Sequence, residues 1–251
     1  MLSLFTLRLA AGMIAWLLLL SPTQINPRYF RTHFLTAFGL AGIALVFLPA
    51  EAPLWTWTFK GLVVAAMIVA FLGSVSFSLE NAPGGVPLAI LESVLLNLSL
   101  VQLGVALAPP ALGPIALVGD VTSALFLGAA ISAMLMGHMY LIAPGMSLGP
   151  LYRLLSAAAV ALTLRLLADG FALWSWTGTH SFSNVGNDTL LWLPVRWLVG
   201  FAGPLVLGWM AWQSARIRST QSATGILYVV VVLCFLGELT SLLLRDSGIT
   251  L

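Results

Sequence analysis

Charge and cysteine are scarce in this sequence. Only 7% of its 251 residues are charged, ten Lys plus Arg against eight Asp plus Glu, where a soluble domain carries about 25%. With 60% hydrophobic residues and a mean hydropathy of +1.05, a water-soluble fold is excluded. The charges are scattered singly, with no basic run or stripe, which argues against nucleic acid as a partner. Cys234 is the one cysteine and sits in an apolar segment, so neither an intrachain disulfide nor a thiolate metal cluster can form. The three histidines are dispersed among different segments, and no metal site is expected. Lys60 is the one lysine, so no retinal Schiff base can form in the last helices. There is no Walker, dinucleotide, serine-nucleophile or zinc-protease motif, and catalysis by the chain alone is not expected.

Long apolar runs are what the sequence does have. A spanning helix needs about 20 mostly apolar residues, and eight segments qualify: Leu4 to Leu20, Phe34 to Leu48, Lys60 to Phe77, Pro87 to Leu107, Asp120 to Ile142, Leu151 to Phe171, Leu191 to Trp212 and Thr224 to Leu244. Pro and Gly punctuate the turns between them, and the longest loop, Trp176 to Leu190, carries His180, Asn184, Asn187 and Asp188. The apolar run Met13 to Leu20 resembles a signal peptide. However, no Lys or Arg precedes Arg8, and Ser21-Pro22-Thr23 is a poor cleavage site. The segment is therefore expected to stay as a helix.

An internal repeat organises these segments. Pro22-Thr-Gln-Ile-Asn-Pro27-Arg-Tyr-Phe30-Arg31 is echoed by Pro144-Gly-Met-Ser-Leu-Gly-Pro150-Leu-Tyr152-Arg153 at an offset of 122 residues. Trp55-Thr-Trp57-Thr58 is echoed by Trp174-Ser-Trp176-Thr177 at 119, and Lys60 matches Arg196 at 136, an offset that also carries Glu92 onto Tyr228 and Gln102 onto Glu238. The expected fold is an all-α polytopic membrane protein of eight transmembrane helices, built as two duplicated four-helix units spanning residues 1–108 and 117–246. With an even number of helices per unit the copies run parallel, related by an axis along the membrane normal. The arrangement is similar in outline to the membrane-anchor subunits of polysulphide-reductase-type complexes, which bind quinone between four-helix bundles. That likeness is one of helix count and carries no residue across.

Arg28, Arg31, Arg153, Arg216 and Arg218 fall on one side, while Lys60, Arg196 and Arg245 flank helix ends on the other. The positive-inside rule then puts both termini outside the cytoplasm of a bacterial inner membrane.

Ionisable groups within such helices need a partner, a wet cavity or a task, because each costs about 2.5–3.5 kcal/mol to insert. They form two layers. His33, Glu92, His138 and Tyr228 share a depth of roughly 8 to 9 Å from the arginine-bearing loops. An imidazole, a carboxyl and a phenol at one depth suit a quinone headgroup that exchanges protons. Haem b is disfavoured, since only one pair of histidines shares that depth and His33 lies close to a helix start. The opposite layer holds Arg8, Gln102, Arg165, Asp169 and Glu238, with Arg165 and Asp169 four residues apart and able to pair on one helix face. It offers a relay of buried polar groups.

Short loops favour a membrane subunit of a larger assembly, embedded in lipid among other membrane chains and engaged in quinone-linked electron transfer. The alternative is a transporter of a small molecule or ion, with its site at the interface of the two repeats. Ala129, Ala133 and Gly137 at four-residue spacing predict close helix packing, and the hydroxyls of Ser219 to Thr224 are suited to capping the last helix.

Overall fold

The computed structural model describes residues 1–48, 55–79, 83–108, 113–143, 145–178, 186–247 and 249, and among them it contains helices and no strand. The helices are α1 (Leu2–Leu17), α2 (Pro27–Val46), α3 (Trp55–Ser76), α4 (Gly85–Leu107), α5 (Gly113–Ile142), α6 (Gly149–Thr177), α7 (Asn187–Pro194), α8 (Gly203–Arg216) and α9 (Thr220–Asp246). A π-helical stretch, Val195–Ala202, joins α7 to α8, so that Thr189–Arg216 runs on as one rod. Among the described residues, seven helices, that rod counted as one, are long and apolar enough to cross a membrane. The shorter apolar α1, of 16 residues, is about 24 Å long at 1.5 Å per residue. The chain is an integral, multi-pass membrane protein.

Several boundaries differ from those expected, for local reasons. The proline-arginine stretches expected as loops open helices instead. Pro27 begins α2, and the Asn26 side chain caps it by accepting the Arg28 N–H at 3.0 Å; Pro150 lies in the first turn of α6. Proline belongs there because its missing N–H would be unsatisfied in a first turn anyway. α5 begins at Gly113, which places Asp120 two turns inside the helix. Ser219 sits at the N-cap of α9 but its hydroxyl makes no capping bond. His180 and Asn184 lie outside the described residues.

α1 runs along α5, and this contact joins the first four helices to the rest. Within the first group α1 packs on α2 and α4, α2 on α3, and α3 on α4; in the second, α5 packs on α6 and α9, and α8 on α9. The α1–α5 crossing is made by glycine. A Cβ on Gly12 would overlap the Ala124 carbonyl, and one on Gly128 would overlap the Gly12 backbone. Ala129 and Ala133 are also fully buried on α5, and a Cβ on Gly137 would meet the Thr224 hydroxyl at 2.7 Å.

The tryptophan echo falls on helices of different rank. Trp55 and Trp57 open α3, whereas Trp174 and Trp176 close α6. Trp57 and Trp174 are exposed, at 75% and 72%, while Trp176 is buried.

Candidate functional site

Five helical elements place seven ionised side chains in one buried cluster. α1 contributes Arg8; α5, Asp120; α6, Arg165 and Asp169; the π-helical stretch, Arg196; and α9, Glu238 and Arg245. Of these, all but Arg8 and Arg245 are wholly inaccessible, and Arg8 is 1% exposed. Glu238 lies eight residues from the end of α9, so the cluster sits about 12 Å below the helix ends.

Glu238 is its hub. Oε1 accepts from Arg165 Nε at 3.0 Å and from Arg196 Nη2 at 2.9 Å, and Oε2 accepts from Arg165 Nη2 at 3.1 Å and from the Ser123 hydroxyl at 2.5 Å. Arg8 Nη1 stands 3.6 Å from Oε2. Asp169 bridges Arg165, 2.5 Å away, and Arg196, whose Nε donates to it at 2.8 Å. Asp120 accepts from Arg8 and from Arg245 Nη1, the latter at 2.9 Å. Four guanidinium groups therefore face three carboxylates, leaving one net positive charge. Removing charge from water is costly, and each ion here meets oppositely charged neighbours, although Asp120 Oδ2, Arg165 Nη1, Asp169 Oδ1 and Arg196 Nη1 make no hydrogen bond among the described residues.

The local backbone explains how Arg196 gets there. Pro204 has no N–H to return to the preceding turn, and the Gly203 N–H donates to Leu198 O, five residues back. This π register opens the helix and is frequent at functional sites. Gly200 then meets α9 at Gly237, where a Cβ on Gly200 would lie 2.9 Å from the Gly237 Cα. With no side chain between them, the Arg196 guanidinium reaches Glu238. Gly104 does the same for α4, since a Cβ there would overlap Asp120. Its carbonyl accepts from Arg245 Nη2 at 3.3 Å.

Arg8, Arg165, Asp169 and Glu238 thus come together as the opposite layer, but Gln102 does not join them. Its amide donates to the Thr58 hydroxyl at 2.5 Å, on α3. Asp120, Arg196 and Arg245 complete the cluster and were not among the expected relay groups. Arg196 in particular was expected at a helix end, and is buried instead because the helix starts earlier, at Asn187.

In the layer toward the arginine-bearing side, His138 and Tyr228 meet, the hydroxyl 3.4 Å from His138 Nδ1. His33 is wholly buried. Its Nδ1 lies 2.9 Å from the Tyr29 carbonyl, which only accepts, so Nδ1 carries the proton and Nε2 accepts from the Ser132 hydroxyl at 3.1 Å. Neither ring nitrogen is left for a ligand. Glu92 is wholly buried on α4, and neither carboxyl oxygen has a hydrogen-bond partner among the described residues.

His138 lines a cavity of about 390 Å³ between the start of α2 and the end of α5, shared with Asn26, Arg28, Tyr29 and Thr32. No group of three or more His, Cys, Asp or Glu side chains suited to a metal ion occurs among the described residues. Compared with known protein families, curated proteins and solved structures, the chain matches none of them.

Proposed function

We propose that the chain is a membrane subunit of a larger electron-transfer complex, and that the His138 cavity receives a quinone headgroup. Its eight helices, α1 included, span the bilayer as two parallel four-helix units, with the arginine-bearing side cytoplasmic. Three contacts recur in both halves, α1–α2 with α5–α6, α1–α4 with α5–α9 and α3–α4 with α8–α9, and support the duplication, although the tryptophan echo does not map rank onto rank.

The observation that carries the quinone reading is the His138–Tyr228 pair, with His138 in the wall of a cavity where Asn26, Arg28 and Thr32 face Leu135, Met139 and Ile142. With Tyr228 donating to Nδ1, the neutral imidazole holds its proton on Nε2 and donates it as a hydrogen bond to a quinone carbonyl. Reduction to quinol takes two electrons and two protons. A redox centre in a partner subunit supplies the electrons, and the aqueous face beside Arg28 and Thr32 supplies the protons. A short-chain quinone analogue titrated against the purified protein, followed by tryptophan fluorescence, should bind saturably. His138→Ala should weaken it by about tenfold, the loss of a hydrogen bond of roughly 1.4 kcal/mol. Absence of saturable binding, or equal affinity in the variant, would overturn the assignment.

The buried charge cluster favours a second reading. It joins Arg8 of the first half to Asp120 and Glu238 of the second and carries an excess positive charge, as a site for transporting a small anion would. Transport predicts uptake of labelled anions into proteoliposomes containing the chain alone, abolished in Arg165→Gln. No uptake above protein-free vesicles rejects it.

A further inference from the structure

The two halves differ where their second and third helices meet. In the first, aromatic rings close the contact between α2 and α3: Phe34 lies against Gly73, and Phe30 stacks on Phe77 with centroids 4.8 Å apart. In the second, α6 meets α8 over a short stretch only, and a cleft of about 390 Å³ separates them. Its α6 wall includes Ala158, Ala159 and Leu162, its α8 wall includes Gly208 and Trp212, and the polar side chains that line it are Gln213 and Arg216. Those volumes are typical of sites for small molecules, about 300–1,000 Å³.

The cleft has a direction. Arg216 ends α8 at the membrane surface and Pro204 lines the deep end, twelve residues further in, or about 18 Å along the helix. One leaflet of hydrocarbon is about 15 Å deep. The slot therefore has the length of one acyl chain, is apolar over that length, and carries a cation where a headgroup would lie. Arg216 is exposed and has no hydrogen bond or ion pair among the described residues. Arg153 and Arg218 lie on the same side, where the described loops contain no carboxylate.

We propose that this cleft binds one anionic phospholipid, its acyl chain between α6 and α8 and its phosphate on Arg216. A soluble anion has no reason to prefer a slot so apolar. A choline headgroup brings its own cation against the arginines.

Native mass spectrometry of the detergent-purified chain, offered phosphatidylglycerol or phosphatidylcholine with the same acyl chains, tests this. Phosphatidylglycerol should be retained about fivefold more, the worth of one basic side chain toward an anionic lipid. Arg216→Ala should bring the two lipids level. Ala158→Trp, which fills the cleft from α6, should release both. Gly208→Leu fills it from α8, where an added Cβ meets no atom within 4 Å, and serves if the tryptophan variant fails to fold. Three results would overturn the proposal: equal retention of the two lipids by the native chain, retention unchanged in Arg216→Ala, or displacement of phosphatidylglycerol by an isoprenoid quinone.

Discussion

Replacing Glu238 by Gln should lower the melting temperature of the detergent-solubilised protein by roughly 10 °C. The amide preserves shape and one acceptor, but it removes the charge that faces Arg165 and Arg196 at 3.0 and 2.9 Å and Arg8 at 3.6 Å. The cluster would then carry two excess positive charges instead of one. Breaking a buried ion pair from one side costs about 3–5 kcal/mol, and a chain of this size loses about 2–4 °C per kcal/mol. Glu92→Gln is the matched control. That carboxyl is equally buried on α4 but has no hydrogen-bond partner among the described residues, so the change should leave the melting temperature within about 2 °C of native or raise it. Similar losses in the two variants would mean that Glu238 is no more engaged than Glu92. Adding Arg165→Gln to Glu238→Gln should return part of the loss, because the pair then leaves together.

Gly12→Leu should be at least as damaging, for a steric reason. Even the first carbon of the new side chain would overlap the Ala124 carbonyl, and backbone cannot rotate aside as a side chain can. α1 must shift away from α5, which draws Arg8 off Asp120 and Ser123, its partners on that helix. The overpacking costs about 1–3 kcal/mol and the broken ion pair about 3–5 kcal/mol more. In fluorescence-detected size-exclusion chromatography the variant should lose most of its monodisperse peak. Gly39→Ala offers the contrast. A Cβ there meets nothing within 4 Å, and alanine is the better helix former by about 1 kcal/mol. Its peak should match the native one, and a native profile for Gly12→Leu would refute the close crossing.

Hydropathy made the spans legible because each helix is apolar on its lipid-facing and core-facing sides alike. Arg165 and Asp169 were legible as a pair because four residues bring side chains onto one helix face. Asp120 was not legible as an interior residue. The apolar stretch before it follows Pro109-Pro110, so the helix start was expected at the aspartate. Arg196 was hidden for a related reason, since the apolar run expected to span starts only five residues before it, at Leu191, and depth along that run placed the arginine at a helix end. Depth alone grouped His33, Glu92, His138 and Tyr228, but depth does not say which way a side chain points. His33 turns inward to Ser132, while Tyr228 and His138 meet on the outer surface.

The cluster also bears on how the chain is made. Arg8 leaves the ribosome well ahead of its partner, since Asp120 is 112 residues behind it. At about 5–20 residues per second, that is roughly 6–22 s during which Arg8 lacks the carboxylate it pairs with in the folded chain. Glu238 arrives later still. α1 therefore needs shelter, in the insertion machinery or at the headgroup level, until α9 is translated. Truncations ending before α9 should accordingly be cleared by quality control as unfinished chains.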